Sequence, residues 1–469
     1  MSVPEWVQDA IFYQIFPDRF ANGDPLNDPP NVQPWGALPS IWGFQGGDLC
    51  GVTRHLDYLL DLGVNAIYLN PIFQATSNHR YNTTDYYQID PKLGTMQDFQ
   101  DLLSAAHQKG IRVILDGVFN HCGRGFFAFN DVLENQEHSP YLGWFHIQHF
   151  PVDAYTWGDA HDYTGWWGMK SLPKFNTSNP SVRKYLLDIA RYWIEQGVDG
   201  WRLDVPNEID DDLFWADFYD VVKRANPEAY LVGEIWTADR RWVGEGHFDG
   251  LMNYPIRDAV LRLLYAGTLD IPHFAEKIEG LQDYYTAENL RAMYLLLGSH
   301  DTERLLTKLE NNTDKAKLAF LFQFAYIGAP SIYYGDEIGM TGGKDPDCRK
   351  AFPWDETRWN HELRLWVKTL AELRKAHPAL RRGDYVRLCM APVEGCLSFA
   401  RIYGEDVVVV VMNASPENRT ISIPLDGLGW EESRLIKSML HPKDYKVLQH
   451  TLVVNLPAWS GDWLQTDPN

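Results

Sequence analysis

Four acids stand where short apolar runs give way to polar loops: Asp116 in DGVFNH (116–121), Asp204 in GWRLD (200–204), Glu234 in GE (233–234) and Asp301 in HD (300–301). Side chains alternate faces along a strand, so Arg202 and Asp204, two apart, point the same way. A cation beside an acid keeps that acid ionised, whereas Glu234, flanked by Val232, Ile235 and Trp236, has an apolar setting that favours its protonated form. One ionised and one protonated carboxyl are what a retaining glycosidase uses, the first as nucleophile on the anomeric carbon and the second as proton donor to the leaving oxygen. A lone strand-end acid is more often a structural ion-pair partner. Four at nearly consecutive strand ends shift the balance toward chemistry. Asp116 reads mainly as a buried orienting partner for Arg202 or for nearby amides.

Two of the 15 histidines, His121 and His300, adjoin these acids. As neutral imidazoles they are suited to hydrogen-bond hydroxyl groups, and no HxxxH-type spacing marks them as metal ligands. Tyr81, Trp236 and the cluster Trp157, Trp166 and Trp167 fall in loops between the runs, where aromatic faces can stack on apolar sugar faces or simply pack. Near the N-terminus, Asn22, Asp24, Asn27 and Asp28, with Gly46 and Asp48 further on, cluster oxygens of the kind a structural Ca²⁺ prefers. The same residues also make an ordinary Asn/Asp/Pro/Gly turn. No organic cofactor is implied.

Positioning such acids takes a scaffold with many parallel strand ends. Eight β-rich runs are present: AIFYQIF (10–16), AIYLN (66–70), RVILDGVF (112–119), GWRLDV (200–205), AYLVGEI (229–235), GLMNY (250–254), AMYLLLGS (292–299) and SIYYG (331–335). Amphipathic segments alternate with them, among them TRHLDYLLDLG, DFQDLLSAAHQKG, SVRKYLLDIARYWIEQG and DKAKLAFLFQFAYIG, each ending in a candidate C-cap glycine. The alternation predicts an α/β fold, a (β/α)₈ TIM barrel with reactive side chains at its C-terminal face. A doubly wound open sheet is the second choice, but no Gly-rich phosphate loop follows any run. Residues 121–179, rich in aromatics and turn formers, read as an excursion domain after strand 3. Beyond His377-Pro378, short strands predict a C-terminal antiparallel β-sandwich. The expected division is 1–120 with 180–380 for the barrel, 121–179 for the insert and 381–469 for the sandwich.

Composition narrows the partners. With 42 Lys plus Arg against 63 Asp plus Glu, the net charge of −21 argues against nucleic acid and anionic membranes. No apolar run is long enough to span a bilayer. Five cysteines without CxxC spacing read as reduced thiols, and the first twenty residues lack the pattern of a secretory leader, so a cytoplasmic location is expected.

The ordered motifs DGVFNH, GWRLD, GEIW (233–236) and LGSHD (297–301), together with Asn70-Pro71 and His79 to Tyr86, resemble those of the α-amylase family over nearly the whole chain. The resemblance implies Asp204 as nucleophile, Glu234 as acid/base and Asp301 as the acid that holds sugar hydroxyls and steadies the oxocarbenium-like transition state. It implies Tyr81 stacked on the reacting ring, and His121, Arg202 and His300 on its hydroxyls. LPKFN (172–176) is similar to an MPKLN motif, and Val205-Pro206-Asn207-Glu208 to VANE, which brings Glu208 into the substrate-binding set beside Trp236 and Asp116. Both point to neopullulanases, cyclomaltodextrinases and maltogenic amylases, whose substrates are maltooligosaccharides, cyclodextrins, pullulan or branched glucans. The subgroup also implies a structural Ca²⁺ at Asn22, Asp24, Asn27, Asp28, Gly46 and Asp48, and a possible homodimer. Because the chain starts almost at strand 1, it looks most like short, debranching-type relatives. Transglycosylation on the same site, and a silent glucan-binding barrel, are the alternative readings.

Overall fold

The computed structural model describes residues 3–265, 269–391, 395–430 and 435–466; the outermost residues of the expected terminal divisions, 1–2 and 467–469, lie outside them. The eight runs form eight parallel strands: β1 (Phe12–Ile15), β2 (Ala66–Leu69), β3 (Arg112–Gly117), β4 (Gly200–Leu203), β5 (Tyr230–Gly233), β6 (Gly250–Leu251), β7 (Tyr294–Leu296) and β8 (Ala329–Tyr333). They run in the order β6-β5-β4-β3-β2-β1-β8-β7, and a parallel bridge between Met252 and Tyr294 joins the two ends into a barrel.

Strand alternation sorts the side chains. Phe12, Ala66, Tyr68, Ile114, Tyr230, Val232, Tyr294 and Leu296 fill the barrel interior. Their neighbours Tyr13, Ile67, Leu69, Val113, Leu115, Trp201, Leu203 and Leu231 pack outward against the helices. This double burial is why the strands read as apolar runs and not as strict alternation. Gly200 is required by proximity, since a Cβ there would meet the Tyr230 carbonyl oxygen at 2.1 Å.

The helices follow their sequence signals. Met96–Gln108 opens on a Thr95/Asp98 capping box. Leu56–Leu62 ends on left-handed Gly63. Among the described residues no helix is long and apolar enough to cross a membrane.

Two excursions rise from the barrel's C-terminal face. After β2 an antiparallel hairpin pairs Phe73–Ala75 with Thr83–Ile89, and its turn carries His79 and Tyr81. After β3, residues 121–179 contain the helix Phe127–Asn135, short 3-10 turns and isolated bridges such as His121 to Lys174. An aromatic cluster that includes Phe126, Phe129, Phe145 and Phe175 takes the place of regular sheet there.

The C-terminal region is antiparallel: β9 (Asp384–Ala391), β10 (Cys396–Tyr403), β11 (Asp406–Asn413), β12 (Arg419–Pro424), β13 (Leu435–Ser438), β14 (Asp444–Lys446), β15 (Thr451–Leu456) and β16 (Ser460–Thr466). Six strands form one sheet in the order β9-β10-β11-β16-β13-β14, and β12 pairs with β15. Val409 and Val411 of β11 face Ile421, Ile423, Leu452 and Val454. Val408, Val410 and Met412 join the core shared with the barrel helices. Burial on both faces explains the unbroken valine run in β11.

Candidate active site

Inward-facing positions at the C-terminal ends of adjacent strands converge on one guanidinium. Register sets Asp116 directly opposite Arg202 across β3 and β4. Arg202 Nη1 lies 2.8 Å from Asp116 Oδ1 and 3.0 Å from Asp204 Oδ1, and Nη2 lies 2.8 Å from Glu234 Oε1. All four side chains are buried. The structure thus places Asp204 and Glu234 on the two arms of one cation. The expected contrast, a paired Asp204 against an apolar Glu234, is absent because β4 and β5 are neighbours and Arg202 reaches both acids.

Burial raises all three carboxyls above the ordinary range, against the opposing pull of Arg202. Glu234 is pushed up to about 7, by burial first and then by the Asp301 charge. One cation among three buried acids leaves the cluster with a proton to share near neutrality. Asp116 is the best-served anion, because Tyr68 and Tyr81 each donate a hydroxyl to its Oδ2, at 2.5 and 2.7 Å, beside Arg202.

A polar chain fixes His300. Gln14 Nε2 donates to Nδ1 at 2.8 Å, so Nε2 carries the hydrogen and faces Tyr81 Oη at 2.6 Å and Asp301 Oδ2 at 3.0 Å. Desolvation, then Arg349 and Arg202, hold the ring neutral by lowering its pKa well below the usual value. Asn70 donates to Tyr81 Oη at 3.1 Å and accepts from Gln14 at 3.0 Å. Asp301 is partly open to solvent, and its other oxygen is 3.2 Å from Arg349 Nη2.

His121 is also neutral, lowered by burial to about 3. Asn120 Nδ2 donates to its Nδ1 at 3.2 Å, which puts the hydrogen on Nε2, an atom buried without a partner among the described residues. Its ring stacks on Trp166 at 5.1 Å, and Trp166 on Trp167 at 4.7 Å. Trp236 stacks on buried Tyr254 at 3.8 Å and leaves its other face to solvent. Glu208 lies in the 3-10 turn Pro206–Glu208, where its carbonyl accepts from Lys174 Nζ at 2.7 Å. Trp157 is fully exposed in the 121–179 excursion.

Several participants went unread in the sequence. Arg349, after β8, also donates through Nε to the His300 carbonyl at 2.8 Å. Gln14 and Tyr68 are inward-facing polar groups whose place in the barrel layer was readable from period-two alternation in AIFYQIF and AIYLN. Val205 carries a left-handed backbone, φ 37°, unusual for a β-branched residue, and its N–H donates to Glu234 Oε2 at 3.2 Å.

At the N-terminal cluster the six expected residues do converge. Asn22 Nδ2 donates to Asp28 at 2.9 Å, Asn27 Nδ2 donates to Asp48 at 3.2 Å, and a Cβ on Gly46 would meet Asp28 Oδ1 at 2.2 Å. Asp48 is an acceptor hub, taking the N–H groups of Gly23, Asp24 and Gly51. The amide oxygens of Asn22 and Asn27 are buried without partners. No group of three or more His, Cys, Asp or Glu forms a metal-type cluster among the described residues. The donors here are mixed amide, carboxylate and backbone oxygens, a set that suits a hard cation.

Residues 14–383 match the α-amylase catalytic domain, and residues 387–455 match the neopullulanase-like C-terminal domain. The chain belongs to the α-amylase family and is a glycoside hydrolase. It is 45% identical to a cyclomaltodextrinase from Geobacillus thermopakistaniensis, over 98% of this chain and 77% of that protein. Among solved structures it is similar to the cyclic α-maltosyl-(1→6)-maltose hydrolase of Arthrobacter globiformis, at 40% identity and TM-score 0.90, covering 99% of this chain and 100% of that one. The debranching enzyme of Nostoc punctiforme is 40% identical with a TM-score of 0.89, over 99% and 100% of the two chains.

Proposed function

We propose that this glycoside hydrolase cleaves α-1,4 and α-1,6 glucosidic bonds of maltooligosaccharides, pullulan or branched glucans by double displacement. The observation that carries the reading is the Arg202 guanidinium holding Asp204 and Glu234 on its two arms. Two carboxyls about 5 Å apart are what a covalent glycosyl intermediate requires. The Asp204 carboxylate attacks the anomeric carbon as the bond to the leaving oxygen breaks, and Glu234 gives that oxygen its proton. Water then attacks the glycosyl ester with Glu234 as base, and the α configuration returns.

Asp301, held by His300 and Arg349, binds ring hydroxyls and steadies the positive charge that builds on the ring. The unpartnered His121 Nε2–H donates to a further hydroxyl, and Tyr81, fixed by Asp116 and His300, lies against the ring face. Trp236, two residues after Glu234, and Glu208, in the turn after Asp204, serve the leaving side. A Ca²⁺ ion held by the orphaned oxygens of Asn22 and Asn27 with Asp24, Asp28, the Gly46 backbone and Asp48 would brace the β1 loop without entering the chemistry. Five cysteines without CxxC spacing suit a reducing, cytoplasmic compartment.

The test is a product profile on pullulan, branched oligosaccharides and a cyclodextrin. Panose from pullulan reports α-1,4 cleavage and maltotriose reports α-1,6 cleavage. Absence of turnover on all three contradicts the reading.

A further inference from the structure

Exposed apolar side chains that cluster beside a reactive site mark a binding surface, whereas scattered ones are ordinary. The loop after β1 carries five, Leu26, Trp35, Leu38, Ile41 and Trp42, of which Trp42, 78% exposed, and Ile41, 53% exposed, line one cleft. The backbone beneath them is pinned. Buried Asn78 donates through Nδ2 to the carbonyls of Ser40, Ile41 and Gly43, at 3.1, 3.3 and 2.8 Å. Buried Arg19 donates through Nη2 to the Gly43 carbonyl at 2.6 Å and through Nη1 to the Arg349 carbonyl at 3.0 Å, with its Nε on Asp18.

Both anchors lead back to the reacting centre. Asn78 precedes His79, whose Nδ1 accepts from the Tyr81 N–H at 3.1 Å. Arg349 pairs with Asp301. The pinned loop forms one wall of a cleft of about 230 Å³, and Trp42, His79, Asp345 and Arg349 are among its lining residues.

Topology says which part of a substrate this cleft meets. Glu234 and Trp236 follow β5, so the leaving portion of the chain lies over that side. In the closed order, β1 is four strands from β5 in either direction, flanked by β8 and β2. Trp42 follows β1, Arg349 follows β8 and His79 follows β2, so the cleft lies on the rim opposite the proton donor. There it meets sugars on the non-reducing side of the reacting ring.

We propose that Trp42, with Ile41 beside it, is a stacking platform for a glucosyl unit beyond the reacting ring on the non-reducing side, and that it makes the enzyme select donors longer than one sugar. This inference rests on the α-glucan reading above. Hydroxyls on the same unit would meet the polar wall, while its apolar face lies on the indole.

The test compares kcat/KM on maltohexaose with kcat/KM on 4-nitrophenyl α-glucoside, whose single sugar occupies only the reacting position. In Trp42→Ala the ratio of the two falls about three- to tenfold, through KM on the hexaose. In Trp42→Phe, which keeps an aromatic face, the ratio stays within about twofold of wild type. An unchanged ratio in Trp42→Ala overturns the proposal, and so does an equal loss on both substrates, which would make Trp42 a structural residue of the centre. Wild-type protein that cleaves neither substrate overturns the α-glucan reading itself.

Discussion

Arg202 Nη2 stands 2.8 Å from Glu234 Oε1, so the proposed proton donor shares a buried cation with the proposed nucleophile, Asp204. Glu234 nevertheless sits near neutrality, because burial and the Asp301 charge outweigh the guanidinium. The arrangement brings the cluster's shared titration within reach of working pH.

The first expectation concerns the two central carboxyls. Glu234→Gln removes the proposed proton donor and lowers kcat on maltooligosaccharides by about 10²–10⁴-fold. Asp204→Asn removes the proposed nucleophile and lowers it at least as far. Circular dichroism of both variants matches wild type, and retained turnover in either would assign its role elsewhere.

The pH dependence has a sign. A proton donor titrating at about 7 makes kcat/KM fall as pH rises through that value, and ionisation of the nucleophile forms the acid limb. Asp301 pushes Glu234 upward, so in Asp301→Asn the alkaline limb of the residual rate moves to lower pH. A limb that stays put or rises would show that the two groups are not coupled.

Stability rests on the same cation. Arg202→Met leaves Asp116, Asp204 and Glu234 buried without a counter-charge, at a cost of about 3–5 kcal/mol, read as a lower unfolding midpoint at pH 8. Adding Asp116→Asn removes one of the uncompensated charges and recovers part of the loss.

Glu337 offers an independent check outside the acid cluster. It is buried, accepts hydroxyls from Tyr13 at 2.8 Å and Tyr58 at 2.5 Å, and is pushed up to about 7, by burial first. A raised carboxyl favours the folded state fully only below its unfolded value, and that contribution is lost as pH rises through about 7. Glu337→Gln therefore stabilises the protein at pH 8 relative to wild type by on the order of 1–3 kcal/mol, and not at pH 4. Equal effects at both pH values would contradict a raised titration.

For the N-terminal cluster, a chelator lowers the unfolding midpoint and added Ca²⁺ restores it, while turnover per folded enzyme at 25 °C stays the same. Asn27→Ala removes an orphaned oxygen and with it the Ca²⁺ response. A wild-type midpoint indifferent to chelation would leave these residues as a turn.

All eight barrel strands were readable, because double burial writes them as compact apolar runs between polar loops. The acids were readable because strand ends carry the chemistry of a barrel. Contacts across strands were not: nothing local to GWRLD announces that Arg202 also reaches Glu234, and nothing in DPDCR announces that Arg349 holds Asp301. The left-handed Val205 was hidden because β-branched residues argue against that conformation, and only its N–H to Glu234 gives a reason for it. In the C-terminal region IKS of β13, DYK of β14 and GDWLQ of β16 lack the apolar density of β11, so nothing local announces those strands.

The central claim is a glycosyl ester on Asp204, and peptide mass spectrometry tests it directly. After incubation with a slowly released activated fluorosugar, 5-fluoro-α-D-glucosyl fluoride, a mass increase of one fluoroglucosyl group falls on the peptide containing Asp204. Labelling of a different peptide, or rapid product formation with inverted configuration and no adduct, would contradict the account.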